Sequence, residues 1–262
     1  MYLKIKQYIF EEYRDNIEII DLAKEILNYI SHLNEDKIFL LHKNHNLFNN
    51  IEENIVILTQ QYYIHNIVDI NNYKFLKEFI SNFDLKIQFV NKNIINGDSR
   101  YVKSKKIILV NGQQKDFHDT LMVYKKQINN LLKSNLSKIT NEIFEESFKE
   151  SIVHELKHAY DDYRTNGDFV IHKKTLDFFK NGDKEIKTKE DYIRYLNLPH
   201  EYWARFLETI SNFNEYDWSE DFNLLYNGFK KNFIGFDFLP IKAKKRLIKS
   251  LYKLYLYKNN KI

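Results

Sequence analysis

The sequence predicts an α+β fold, because segments with helical spacing alternate with short runs typical of buried strands. Residues 17–33 place apolar side chains three or four positions apart, and the same spacing returns in residues 142–163. Between these segments lie brief apolar runs at residues 85–90 and 106–110. This alternation predicts several helices together with a small mixed sheet.

Composition and charge indicate a folded chain and give no strong signal for nucleic-acid binding. Of the 262 residues, 44% are hydrophobic and 29% are charged, as in ordinary globular proteins. The net charge of +4 is weak for this length, so nucleic-acid binding is not indicated. No cysteine is present, which excludes disulfides, a thiolate nucleophile and thiolate metal ligands. Any metal must therefore bind His, Asp or Glu.

The N-terminal stretch MYLKIKQYIFEEYRD does not resemble a signal peptide, because acidic residues interrupt it before a long apolar run forms. Nowhere do about 18 apolar residues follow one another. We therefore expect a soluble protein without a secretion signal or a membrane segment, either cytoplasmic or released by a route that needs no signal peptide. The oligomeric state is left open.

We divide the chain into two predicted domains, residues 1–80 and residues 81–262. The first is a mixed α/β region of unknown function, with a helix over residues 17–33 and strands at 38–41 and 55–58. On one stripe of that helix lie Ile20, Leu22, Ile26, Ile30 and Leu33.

The second domain begins with a predicted strand pair, residues 85–90 and 106–110, separated by the turn-forming residues Asn96, Gly97 and Asp98. A helix over residues 142–163 follows. Its apolar stripe comprises Phe144, Phe148, Ile152, Leu156, Ala159 and Tyr163.

Capping residues predict the limits of this helix. Thr140 or Asn141 is expected at its N-cap, and Asn166-Gly167 supplies a stop.

Residues 165–198 are polar and predict a loop-rich excursion. A helix is expected over residues 199–213, with Pro199 in its first turn. Residues 240–257 alternate basic and apolar side chains, which favours a solvated amphipathic helix over a membrane or nucleic-acid surface.

The residues with the most distinctive chemistry are His154, Glu155 and His158, which form an H-E-x-x-H motif inside the second predicted helix. Residues four apart share a helix face, so the two imidazoles can bind one ion. Glu155 lies about 100° round the helix, where it can flank the ion and take a proton from bound water. Because zinc lowers the pKa of that water to about 7, the expected reaction is amide hydrolysis.

A catalytic zinc site needs a third protein ligand and an open position. Glu201, in the first turn of the helix that begins at Pro199, is the preferred candidate, and His200 and Glu208 are the alternatives. Asp161 lies on the histidine face, where it can support a ligand or serve in an exposed salt bridge.

Residues 150–210 resemble the glutamate-liganded zincins (gluzincins), in particular the catalytic domain of the anthrax lethal factor group. That family has a motif like HExGHAxDDY followed by ExxAE, and this chain has HELKHAYDD followed by EYWAR, with Glu201 placed 43 residues after His158. The resemblance implies a zincin-like fold and Glu201 as the third ligand. Arg205 departs from the family, because many relatives carry at this place an acidic residue that supports a histidine ligand.

The resemblance also implies an oxyanion donor before the third-ligand helix, for which we choose Tyr195, with Tyr192 and His172 as alternatives. It further implies that a peptide substrate pairs with a sheet edge, expected at residues 101–110. The expected function is that of a zinc-dependent metalloendopeptidase with Zn²⁺ on His154, His158 and Glu201. The alternative is a non-catalytic binding or structural protein with a structural or vestigial zinc site.

Overall fold

The computed structural model describes residues 2–33, 61–90, 99–111, 136–166, 188–219 and 221–259. The predicted strands at 38–41 and 55–58, the turn at residues 96–98 and His172 lie outside these ranges. Helices and a small sheet are both present, so the α+β class is confirmed. Among the described residues, no helix combines the length and apolar character needed to cross a bilayer.

Nine α-helices and four strands make up the described chain. The helices are α1 (Tyr2–Leu33), α2 (Ile64–Ile67), α3 (Lys77–Asn82), α4 (Leu136–Arg164), α5 (Lys189–Leu196), α6 (Pro199–Ser211), α7 (Glu215–Ser219), α8 (Phe222–Asn232) and α9 (Ile241–Lys258). The strands are β1 (Tyr62–Tyr63), β2 (Lys86–Val90), β3 (Ser99–Val102) and β4 (Ile107–Asn111).

The chain forms two compact units. One comprises Glu18–Ala159 and contains the sheet, and the other comprises Met1–Ile17 together with Tyr160–Ile262 and contains helices α5 to α9. These two units are defined by packing alone. The domain boundary expected at residue 80 therefore stays a prediction.

The sheet has the strand order β1-β2-β4-β3, with the β2–β4 pair parallel and the other two pairs antiparallel. The two predicted strands are confirmed as β2 and β4. The expectation that residues 101–110 form one sheet edge is wrong, because a 3-10 turn at Lys103–Lys105 divides them. Residues before the turn belong to the edge strand β3, whereas β4 lies inside the sheet.

One face of the sheet is apolar and buried. Ile87 and Phe89 of β2 stand beside Ile108 and Val110 of β4, and all four are at most 1% exposed. The alternation follows the two-residue repeat of a strand. Helix α4 packs against this face, because the rings of Phe89 and Phe148 meet edge to face with centroids 5.2 Å apart.

Helix α1 confirms the predicted helix and extends it toward the N-terminus. Its buried stripe includes Leu22, Ile26 and Ile30, each 0% exposed. In the sheet-containing unit, Glu18 accepts hydrogen bonds from the backbone N–H groups of residues 74, 75 and 76 at 2.8–2.9 Å. This carboxylate therefore satisfies backbone donors at the start of α3, where a helix has no internal partners for them.

Helix α4 confirms the predicted motif helix, but the predicted start is wrong. The helix already begins at Leu136, so Thr140 and Asn141 lie within it and are not its cap. A possible cap residue is a weak signal that the surrounding structure can override. The predicted stop agrees with the structure, because Asn166 has the left-handed φ of 49° that ends helices.

The predicted loop at 165–198 contains a helix that the polar composition concealed. Helix α5 begins after Thr188, whose hydroxyl accepts a hydrogen bond from the backbone N–H of Asp191 at 3.1 Å. Thr188 is therefore the N-cap of α5. The charged residues of this helix face solvent. The helices expected at residues 199–213 and 240–257 are confirmed as α6 and α9.

Aromatic side chains form much of the core of the helical unit. The Phe229 ring of α8 lies 5.5 Å from Phe206 of α6 and 5.9 Å from Phe236, centroid to centroid. Helix α9 buries an apolar stripe of Leu247, Leu251 and Leu254. This core holds α6, which carries Glu201.

Alkaline pH is expected to destabilise the protein through the buried Tyr73 and Tyr160. Burial, together with hydrogen bonds to Glu25 (2.6 Å) and Asp15 (2.7 Å) respectively, raises the pKa of each phenol above its ordinary value of 10.0. Above pH 10 the unfolded chain loses protons that the folded chain keeps. The stabilisation is fully present below pH 10 and is lost as the pH rises above it. The free energy of unfolding should then fall by about 1.4 kcal/mol per pH unit for each tyrosine.

Urea unfolding measured between about pH 9 and about pH 11 checks this expectation. The Tyr73→Phe variant lacks one of the two phenols, so its free energy of unfolding should fall less steeply with pH. An equal slope in the variant and the wild type would contradict the assignment.

Candidate metal centre

His154 and His158 lie one turn apart on α4 and are both buried, at 9% and 8% exposure. Their ring centroids are 4.8 Å apart, with the ring planes nearly perpendicular at 83°. Phe148, Ile152 and Leu156, on another face of the same helix, are fully buried as well. The two imidazoles are therefore neighbours on one face, as their spacing predicted.

Glu201 occupies the first turn of α6. Pro199 takes the first helical position, where its missing N–H costs nothing, and Leu198 before it is extended with ψ 133°. The carboxylate is 5% exposed, and the positive end of the helix dipole favours a negative charge in this turn. The Nε2 atom of His200 lies 3.4 Å from Glu201 Oε1, so an imidazole flanks the carboxylate.

The structure brings His154, His158 and Glu201 together. Each offers one ligand atom, and the three atoms lie within 4.8 Å of one another. This is the one group of three or more metal-binding side chains among the described residues, and neither His200 nor Glu208 belongs to it. The three residues lie close enough to bind a metal ion.

The donor set fits a zinc ion. Two imidazoles and one carboxylate are the donors of a His₂Glu zinc site, which leaves a fourth position open. Tetrahedral donors at about 2.0–2.1 Å from one ion stand about 3.3 Å apart, so these atoms need to approach by at most about 1.5 Å. Among the described residues, His158 Nδ1 and Glu201 Oε2 are buried atoms that make no hydrogen bond, although both residues make other interactions.

A bound cation would contact a buried carboxylate oxygen such as Glu201 Oε2 directly.

Glu155 is also buried, at 6% exposure, and its carboxylate is anchored to strand β3. Oε1 accepts a hydrogen bond from the Ser99 hydroxyl at 3.0 Å, and Oε2 accepts one from the backbone N–H of Tyr101 at 2.6 Å. A carboxylate oxygen has two lone pairs, so each oxygen keeps the capacity to accept a proton. The arrangement fixes the orientation of Glu155 and ties the motif helix to the edge strand.

The remaining predicted site residues do not belong to the group of three metal-binding side chains. Tyr195 is half-buried in the last turn of α5, close in sequence to Pro199, and Tyr192 on the same helix is 37% exposed. Asp161 is half-buried, and its backbone carbonyl accepts a hydrogen bond from the Thr165 hydroxyl at 2.7 Å. The roles of Tyr195 and Asp161 stay predictions.

Several polar residues near the motif were not singled out from the sequence. Asp162, at 5% exposure, lies one turn beyond His158 on α4, and its buried Oδ1 makes no hydrogen bond among the described residues, although Asp162 makes other interactions. The four-residue spacing from His158 was a usable signal for it. Ser99 and Tyr101, which contact Glu155, had no sequence signal, because they approach the helix only through the fold.

The site thus consists of three buried side chains on two helices that could bind a metal ion, together with the buried carboxylate of Glu155, which follows His154 in sequence. Its donors suit a divalent cation with a preference for nitrogen and oxygen. Comparison of the chain with protein-family models, with curated proteins and with solved structures finds no match.

Proposed function

We propose that this protein is a zinc-dependent metalloendopeptidase of zincin-like fold, with His154, His158 and Glu201 as the metal ligands. The observation that carries the proposal is the convergence of these three buried donors within 4.8 Å, on a helix whose motif also supplies Glu155. Structural zinc sites use four protein ligands, whereas catalytic sites use three and keep one position open. The three donors found among the described residues therefore favour a catalytic role.

Each residue has a role in this proposal. A bound Zn²⁺ would supply Lewis acidity, which acidifies water and polarises a peptide carbonyl. His154, His158 and Glu201 would hold the ion, and His200 would help to orient the carboxylate of Glu201. Glu155 is the general base that accepts the proton from water and passes it to the leaving amine. Tyr195 is the proposed donor to the oxyanion.

The edge strand β3 is the proposed docking surface for the peptide substrate. Among the described strands, β3 is the outermost on its side of the sheet, and Glu155 accepts hydrogen bonds from two of its residues. A peptide added along this edge would therefore run beside the general base. The small mixed sheet, the motif helix α4 and the third-ligand helix α6 together support the zincin-like assignment.

A second candidate function is a non-catalytic binding or structural role with a structural or vestigial metal. Both Glu155 oxygens accept hydrogen bonds, one from Ser99 and one from Tyr101, and this favours the non-catalytic role. A carboxylate bonded in this way can link helix α4 to strand β3 without taking part in catalysis. In that case Glu155 would contribute stability alone.

The first experiment is peptide hydrolysis by the purified full chain with and without metal. A mixture of unstructured peptides would be incubated with the protein, and mass spectrometry would detect new termini. Cleavage should stop when a chelator removes the metal and return with one equivalent of Zn²⁺, because the proposed nucleophile is a water molecule that the metal acidifies. Zinc-loaded protein that cleaves no peptide would favour the non-catalytic role.

A further inference from the structure

A cavity lies at the end of the sheet where β2 and β4 begin. Its volume is about 470 Å³, and it includes none of the proposed metal ligands. Its walls come from three short segments: the β1–α2 junction, the residues leading into β2, and the 3-10 turn before β4. Its lining residues are Tyr63, His65, Asn66, Asp84, Lys86, Ser104, Lys105 and Lys106.

The cavity is lined by more positive than negative charge. Lys86, Lys105 and Lys106 line the cavity together with a single acidic residue, Asp84, whose Oδ1 lies 4.0 Å from Nδ1 of His65. None of the three lysines makes an ion pair within the described residues. Two of the ammonium groups instead stand 4.7 Å from the centre of an aromatic ring, Lys86 over Tyr63 and Lys106 over Phe83.

Aromatic faces hold these ammonium groups without neutralising them. A cation–π contact orients the charge and leaves N–H donors available, whereas a carboxylate would cancel the charge. The Ser104 hydroxyl and the Asn66 amide add neutral donors to the same walls. This set of donors suits an anion with several acceptor oxygens.

The backbone around the cavity is strained in two places. Asp84 and Lys106 both have positive φ, 53° and 46°, which side chains other than glycine rarely adopt. The two segments are joined where the backbone N–H of Lys86 donates to the Lys106 carbonyl at 2.9 Å. Residues held in this backbone conformation are concentrated at functional sites.

We infer that this cavity binds the phosphate group of a small molecule, with Lys86, Lys105 and Lys106 as the charged donors. A phosphate dianion matches the excess of lysines over the one aspartate, and its oxygens can each accept from an ammonium, the hydroxyl or the amide. A nucleic-acid surface is a poorer match, because the whole chain carries only +4 and these three lysines line one small cavity and not an extended surface.

Calorimetric titration of the full chain with inorganic phosphate, and separately with pyrophosphate, tests this inference. Sodium chloride at matched ionic strength serves as the reference. We expect saturable binding of one phosphate per chain, about tenfold weaker in Lys86→Gln and in Lys105→Gln, because each variant loses one charge-assisted hydrogen bond. Lys106→Asn should act similarly, since asparagine tolerates a positive φ.

Lys77→Gln is the matched control, because Lys77 is an exposed lysine of the same compact unit and does not line the cavity. Its phosphate affinity should equal that of the wild type. A thermal melt checks that every variant is folded. A variant that does not fold is replaced by a substitution at another of the three cavity lysines. Absence of saturable phosphate binding, equal weakening by Lys77→Gln, or salt-sensitive binding of duplex DNA in place of phosphate would each overturn the inference.

Discussion

The Glu155→Gln variant should lose peptide hydrolysis while it keeps its metal. Glutamine has nearly the same shape, and its carbonyl oxygen can still accept a hydrogen bond from the backbone N–H of Tyr101, so the contact with β3 is largely retained. It cannot accept a proton as a base, however. Because a general base contributes about 10²- to 10⁴-fold to rate, kcat should fall by a factor in that range.

The measurement is kcat on a peptide that the wild type cleaves, with zinc content determined on the same samples. Glu150→Gln is the control, since Glu150 is an exposed residue of the same helix and the change in charge is identical. Retained activity in Glu155→Gln would remove Glu155 as the base. The purely structural role would instead be supported if Glu155→Gln keeps its metal but has a lower free energy of unfolding, and if the wild type itself cleaves no peptide.

Removal of a proposed ligand should have the second large effect, the loss of bound zinc. His158→Ala and Glu201→Ala each leave two donors of the three that converge within 4.8 Å. Loss of an outer partner of a metal ligand already costs about 10- to 100-fold in affinity, so loss of a ligand itself should cost at least about 100-fold. Metal analysis of protein dialysed against a weak chelator would show stoichiometric zinc in the wild type and a large deficit in both variants.

Glu208→Ala provides the comparison for these variants. Glu208 was an alternative third ligand on the same helix as Glu201, and the structure leaves it outside the donor group. It should therefore keep its zinc. Full zinc in His158→Ala and Glu201→Ala would exclude the proposed site, whereas a deficit in Glu208→Ala would reopen the choice of the third ligand.

Local patterns were sufficient to predict many of the elements that surround the site. The three- to four-residue spacing that ends with Tyr163 predicted α4, because a helix must bury one stripe in order to be stable. Pro199 marked the start of α6 for a similarly local reason, since its fixed φ suits the first helical turn. The predicted start of α4 failed, because Thr140 is as compatible with a helix interior as with a cap when the preceding turn is also helical.

The topology of the sheet could not be read from the same patterns. Strands β2 and β4 were recognised as apolar runs, but the four-residue strand β3 has no pronounced alternation. Pairing joins residues distant in sequence, such as Ile87 of β2 with Ile108 of β4. The identity of the edge strand therefore depends on packing, which a local pattern does not encode.

By itself the sequence determined the chemistry that the site could have: two imidazoles one helical turn apart, a carboxylate next to the first, and a glutamate in the first turn of a later helix. Those features follow from covalent order and helix geometry, which are local. Only the tertiary structure decided that Glu201, and neither His200 nor Glu208, joins the histidines, and that Ser99 and Tyr101 hold Glu155. The physical reason is that burial and long-range packing, whose contributions sum over many distant contacts, select which of several chemically similar side chains meet.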